Sequence, residues 1–127
     1  MEYIIDALPA LLQGALTTVQ LTALAIVFGF LGGTLLGTAR LSKLPLVRLA
    51  TRAYIEFFRG TPLLVQIFWI YFGFPALFKS VGLAFTFDRW SAGVLALSLN
   101  AAAYIAEIVR GGIQSIDRGQ WEAASSM

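Results

Sequence analysis

Cysteine and histidine are both missing from the chain. Without thiols it can form no disulfide and offers no thiolate nucleophile. Without imidazole it lacks the usual general base and most zinc-ligand sets. The absence of thiols marks no compartment, since such a chain is compatible with any redox poise. Charge is also scarce: 13% of the 127 residues are charged, against roughly a quarter in soluble domains. The net charge of +2 is too small for a nucleic-acid surface, and the basic residues are not interleaved with aromatics as stacking sites require.

What replaces charge is apolar length, 58% of the residues, gathered in three runs. No charged residue lies between Asp6 and Arg40, which is longer than the roughly 20 residues of one bilayer crossing. A second run, Gly60 to Phe78, follows Glu56 and Arg59, and a third, Ser91 to Ile108, is interrupted by Asn100 and Glu107. Lipid admits helices or closed barrels, and the runs lack the alternation of barrel strands. The expected fold is therefore all-α, a polytopic membrane protein with spans at about 10–39, 53–78 and 90–110. Asp6 is the expected N-cap of the first helix, with Pro9 in its first turn and residues 7–14 at the interface. Glu2 and Asp6 stand where a signal peptide would carry Lys or Arg, which argues against one. Arg40, Lys43, Arg48 and Arg52 fill the first connection, and Arg110 and Arg118 follow the third span. The positive-inside bias places that connection and the C-terminus in the cytoplasm and the N-terminus outside.

Several residues stand out against this background. Gly29, Gly33 and Gly37, with Gly32 beside them, form a small-residue face, read first as intramembrane packing and second as a specific dimer contact. Pro45 suits the first turn of a helix that Arg59-Gly60-Thr61-Pro62 then kinks. Kinks of this kind occur both along transporter pathways and as plain structure. Glu56 with Arg59, and Glu107 with Arg110, have the three-residue spacing of helical ion pairs, favouring a structural cluster over a substrate site. The polar groups near mid-span are neutral. Gln66 and Asn100 need hydrogen-bond partners in hydrocarbon, and Asn100 and Tyr104 share a face. Either they bond between helices, or with Thr61 they line a polar path for a small zwitterion. Near the C-terminus, Gly111 and Gly112 allow a turn out of the third span, and Asp117 and Gln120 have capping-box spacing for a helix from about Arg118. Trp121 on that helix suits a partner's groove or the headgroup region equally well.

Four blocks carry a family resemblance: Ala15 to Thr22, Glu56 to Gln66, Ala102 to Ile113, and Gly119-Gln120-Trp121-Glu122-Ala123-Ala124. In this order they resemble the permease subunits of ATP-binding-cassette importers for polar amino acids. The fourth block is similar to the start of that family's EAA loop. The resemblance implies a type I importer fold in a bacterial inner membrane, with 1–127 as part of its transmembrane domain and residues 118–127 opening a cytoplasmic coupling helix. It implies an ATPase partner contacted through Gly119, Gln120, Trp121, Glu122, Ala123 and Ala124. An extracytoplasmic amino-acid-binding protein and a second permease subunit are implied too, with no cofactor, no metal and no chemistry in this chain. Gln66, Asn100, Tyr104 and Thr61 become its pathway candidates. The family pattern runs Glu-Ala-Ala, three residues, here Ser125-Ser126-Met127, and then a Gly, and family members continue through two further spans. Hence two expectations stand side by side. One is a permease part whose intact form transports by alternating access, this chain alone not sufficing. The other is a non-transporting fragment, an interaction partner of intact permease or an inert remnant. A small ion channel ranks below both, lacking a filter motif.

Overall fold

The computed structural model describes residues 1–127, which form only helices and their connections. Helix α1 runs Glu2–Ala39, α2 Pro45–Gly60, α3 Leu63–Phe68, α4 Phe74–Ser80, α5 Arg89–Gln114 and α6 Arg118–Ser125. A π-helical turn, Trp69–Gly73, joins α3 to α4 without a break. Three segments are long and apolar enough to cross a membrane: Glu2–Ala39, Leu63–Ser80 and Arg89–Gln114. The chain is thus an all-α polytopic membrane protein.

The glycine face of α1 decides the packing. A methyl group at Gly29 would lie 2.7 Å from the Ala101 Cβ, one at Gly33 2.6 Å from the Ile105 Cβ, and one at Gly37 2.7 Å from the Ala106 carbonyl oxygen. Real side chains do not approach so closely, so only glycine permits this contact. Partner numbers on α5 rise with the glycine numbers, so α1 and α5 run parallel. The chain between them therefore has to recross the membrane, and Leu63–Ser80 does so. On the other side of α5, Ile70 packs against Ala92 and Ala96, with Ile67, Tyr71, Phe87 and Leu99 around them. The glycine stripe is spent on packing inside this chain, which is the first of its two sequence readings.

Local chemistry differs from expectation at three helix boundaries. Asp6 does not cap α1. The helix starts at Glu2 with Met1 as N-cap, and Pro9 sits inside it. Pro9 leaves the Ile5 carbonyl without its helical donor, yet the chain keeps the continuous 38-residue helix. At about 1.5 Å per residue that helix reaches about 57 Å, well beyond one hydrocarbon core. Gly111 and Gly112 do not turn the chain; they stay helical inside α5, which ends at Gln114. The Ser115 hydroxyl donates to the Gly112 carbonyl at 2.7 Å, and the turn falls on residues 115–117. Asp117 does precede α6, but its side chain makes no capping bond, so the capping box is not formed. The first turn there is closed by the backbone, Gln120 N–H to Asp117 carbonyl at 2.9 Å.

Asp88 is the side chain that does cap. Its carboxylate accepts the Ser91 N–H at 3.4 Å at the start of α5. The bond from Ser91 holds this carboxyl below its ordinary range. A depressed folded-state pKa adds stability above the ordinary carboxylate range and loses it as pH falls through the folded value. Acidification should therefore lower the protection factors of the first-turn amides of α5, measured relative to the intrinsic exchange rate at each pH, and Asp88→Asn should remove that pH dependence; protection factors unchanged on acidification would contradict the cap.

The packing makes a sharper prediction. Gly33→Ala should destabilise the chain by about 1–3 kcal/mol through overpacking, read from unfolding in mixed micelles. Gly14→Ala, where an added methyl group meets nothing within 4 Å, should not destabilise and should gain up to about 1 kcal/mol from helix propensity.

Candidate functional site

The α2–α3 junction is a break rather than a bend. Thr61 and Pro62 both adopt extended backbone between two helices. Pro62 has no N–H, so the Phe58 carbonyl, one turn earlier, loses its helical donor. The Gln66 side chain supplies one, its Nε2 donating to the Phe58 carbonyl at 2.9 Å. The same nitrogen donates to the Thr61 carbonyl at 3.1 Å and the Thr61 hydroxyl oxygen at 2.8 Å. Thr61 in turn donates its hydroxyl to the Phe57 carbonyl at 2.8 Å. Thus two side chains replace the backbone bonds that the break removes. Gln66 is only 4% exposed.

Asn100 joins this group from α5, its Nδ2 donating to Gln66 Oε1 at 3.1 Å. Nearby, the Tyr54 hydroxyl donates to the Leu99 carbonyl at 2.7 Å, tying α2 to the same level of α5. Both hydrogens and the oxygen of the Gln66 amide are therefore engaged. Interhelical bonding, the simpler of the two sequence readings, describes Gln66 as it stands. Phe57, Phe58, Val65 and Trp69 join Thr61 and Gln66 around a recess of about 450 Å³ beside the break. Trp69 is shaped by the π turn, for its indole lies over Gly73 where any Cβ would overlap it. Tyr104, one turn past Asn100, is 46% exposed, with the Arg59 guanidinium carbon 5.6 Å from its ring centre.

The ion pairs are partly rearranged from the sequence reading. Glu56 does not pair with Arg59. It accepts Arg52 Nε at 2.8 Å, four residues back on the same helix. Arg59 instead crosses to α5 and lies 3.7 Å from Glu107. Glu107 also holds Arg110 at 2.8 Å, and Arg110 donates to Gln114 Oε1 at 2.7 Å. The reach of Arg59 across the helix interface is a tertiary effect that three-residue spacing cannot reveal. Spacing could have suggested Arg52 with Glu56, which are one turn apart.

Helix α6 carries Gly119, Gln120, Trp121, Glu122, Ala123 and Ala124, and none of its residues is buried. Trp121 is 51% exposed. Apart from Arg118 with Glu122 at 3.4 Å, the helix keeps its surface open. The structure therefore separates two groups of sequence candidates. Thr61, Gln66, Asn100, Tyr104, Arg59 and Glu107 gather around α5, whereas residues 119–124 stand apart from them on α6.

Comparison with known proteins decides the family. Residues 25–127 match the sequence model described as binding-protein-dependent transport system inner membrane component. The chain belongs to that family. It is 45% identical over 96% of its length to a Sinorhizobium fredii protein named as a probable amino-acid ABC transporter permease, of which it covers 51%. It is 41% identical over 100% of its length to the nopaline transport system permease protein NocM of Agrobacterium fabrum, of which it covers 54%. A crystal structure of an amino acid ABC transporter with histidines superposes with a TM-score of 0.82 at 40% identity, over 98% of this chain and 55% of that one. This member of the permease family thus spans about half the length of the curated relatives it matches.

The amide network predicts a coupled cost. Gln66→Leu leaves the Phe58 carbonyl without its donor and should cost about 1–3 kcal/mol of stability. Adding Asn100→Leu should cost less in that background than in the unaltered chain, since the two share a bond. Strict additivity in unfolding titrations would contradict the network.

Proposed function

We propose that the permease containing this chain imports polar amino acids by alternating access, powered by a separate cytoplasmic ATPase. The observation that carries this reading is α6. It is a helix with no buried residue, offset from the bundle, and it bears Trp121, Glu122, Ala123 and Ala124. A helix this small gains little by standing alone in water, and an exposed tryptophan suits a partner's groove. The family membership supports the same role, as do relatives named for amino-acid and nopaline transport. In this reading α6 docks on the ATPase from the cytoplasmic side, and α5 carries the ATPase motion to the break. The basic first connection favours that orientation, with the N-terminus outside.

A binding protein outside and a second permease subunit complete the assembly in this reading, the first in keeping with a family described as binding-protein-dependent. Thr61 and Gln66 maintain the break, while Asn100 and Tyr104 present polar groups to the path beside it. A zwitterion would meet the Asn100 amide and the Tyr104 hydroxyl, with the Arg59 guanidinium nearby. Hydrolysis belongs to the ATPase in this scheme.

Two measurements test the proposal. In membrane vesicles containing the whole permease, its ATPase and its binding protein, Trp121→Ala should lower ATP-driven amino-acid uptake at least about tenfold, the loss expected when a buried aromatic anchor worth 2 kcal/mol or more is removed. The ATPase should also fail to co-purify; unchanged uptake would contradict docking through α6. Tyr104→Phe should raise the KM for uptake while leaving ATPase co-purification intact.

A further inference from the structure

Arg40 ends the uncharged stretch of α1, and Arg110 follows the apolar run of α5. Because α1 and α5 are parallel, with Gly37 against Val109, the two arginines arrive at the same membrane face and nearly the same depth. That depth is where apolar chain gives way to charge, the level of lipid headgroups. Arg59 reaches the same place from the end of α2, 3.7 Å from Glu107, and Arg110 holds that carboxylate at 2.8 Å. Two guanidinium groups thus hold one carboxylate, and Arg40 stands at the same level on the neighbouring helix. The other nearby acid, Glu56, is taken by Arg52.

Arg40 is the least satisfied of the three. It enters none of the ion pairs, and its Nε is buried without a hydrogen-bond partner. A buried donor of this kind is costly until an acceptor arrives. Guanidinium forks bind phosphate oxygens in pairs, and Arg59 and Arg110 each keep part of their surface open. Glu107 sets the spacing of the forks but neutralises only one positive charge. We propose that Arg40, Arg59 and Arg110 form a binding site for an anionic phosphate group, carried by a lipid headgroup or by free inorganic phosphate. Its place at headgroup depth favours the lipid source. Neighbouring basic residues strengthen such attraction by a similar increment each.

Native mass spectrometry of the delipidated chain in detergent tests this directly, with phosphatidylglycerol and phosphatidylcholine offered in equal amounts. Phosphatidylglycerol should be retained in clear excess, and Arg40→Gln should reduce its retention about fivefold, the effect of one cation near an anionic headgroup. Arg40→Gln breaks no ion pair within the chain, so its helix content should stay unchanged by circular dichroism. Glu107→Gln should raise retention, whereas a purely structural role for Glu107 would lower it; this second variant carries the test if Arg40→Gln fails to fold. Persistence of the lipid in millimolar inorganic phosphate assigns the site to the headgroup, and displacement assigns it to the free anion. Equal retention of both lipids, or retention that neither variant alters, overturns the proposal.

Discussion

The contact between the glycine face of α1 and the alanine-rich face of α5 governs the rest of this molecule. Gly29, Gly33 and Gly37 let the backbones meet where a single methyl group would collide. In a bilayer, helix association gains little from the hydrophobic effect, so close packing has to supply the attraction. Once α1 and α5 lie parallel, one return crossing is required between them. Leu63–Ser80 provides it, and its N-terminal end is where the helix breaks. The same pairing brings the ends of α1 and α5 to one membrane face, where Arg40, Arg59, Glu107 and Arg110 collect.

The break at Thr61–Pro62 shows how a membrane protein interrupts a helix at acceptable cost. Carbonyls freed by a missing N–H cannot turn to water in hydrocarbon. Gln66 and Thr61 take that role, and Asn100 fastens Gln66 to α5. The mid-span amides are therefore both structural and local to the recess. In the proposed transport cycle that duality matters, because motion of α5 would pull on the amide network at the break. On that proposal the break is where the path changes shape, and α6 is where the ATPase pulls.

Much of this was legible from residue order. The apolar runs marked the helices, and Pro45 and Pro62 marked a start and an interruption. The spacing of Gly29, Gly33 and Gly37 marked the packing face. The spacing of Asp117 and Gln120 marked a helix from about Arg118, and α6 does start there, although the capping box itself is not formed. What residue order could not convey was partner choice. Arg59 has an acid three residues away and uses one on another helix, because tertiary packing brings Glu107 nearer. Gly111 and Gly112 looked like a hinge, yet helical bonds hold them and the turn comes later. Asp6 and Asp117 have the chemistry of helix caps but make no capping bond: Asp6 lies inside α1, and at Asp117 the backbone alone closes the first turn. In the site, the pairing of Gln66 with Phe58 follows from Pro62 by simple donor counting. The burial of the Arg40 Nε follows only from three-dimensional proximity.

The parallel register of α1 on α5 sets every other contact in the bundle, and the absence of native cysteine makes that register easy to measure. An added Cβ at Gly32 would lie 3.4 Å from the Ala102 Cβ, close to the usual separation across a disulfide. Gly32→Cys combined with Ala102→Cys, oxidised in the membrane, should form an intramolecular disulfide in high yield. Gly32→Cys with Ala92→Cys, nearly three turns away along α5, should not. Failure of the first pair, or equal yield from both, would contradict the structure on which the rest is built.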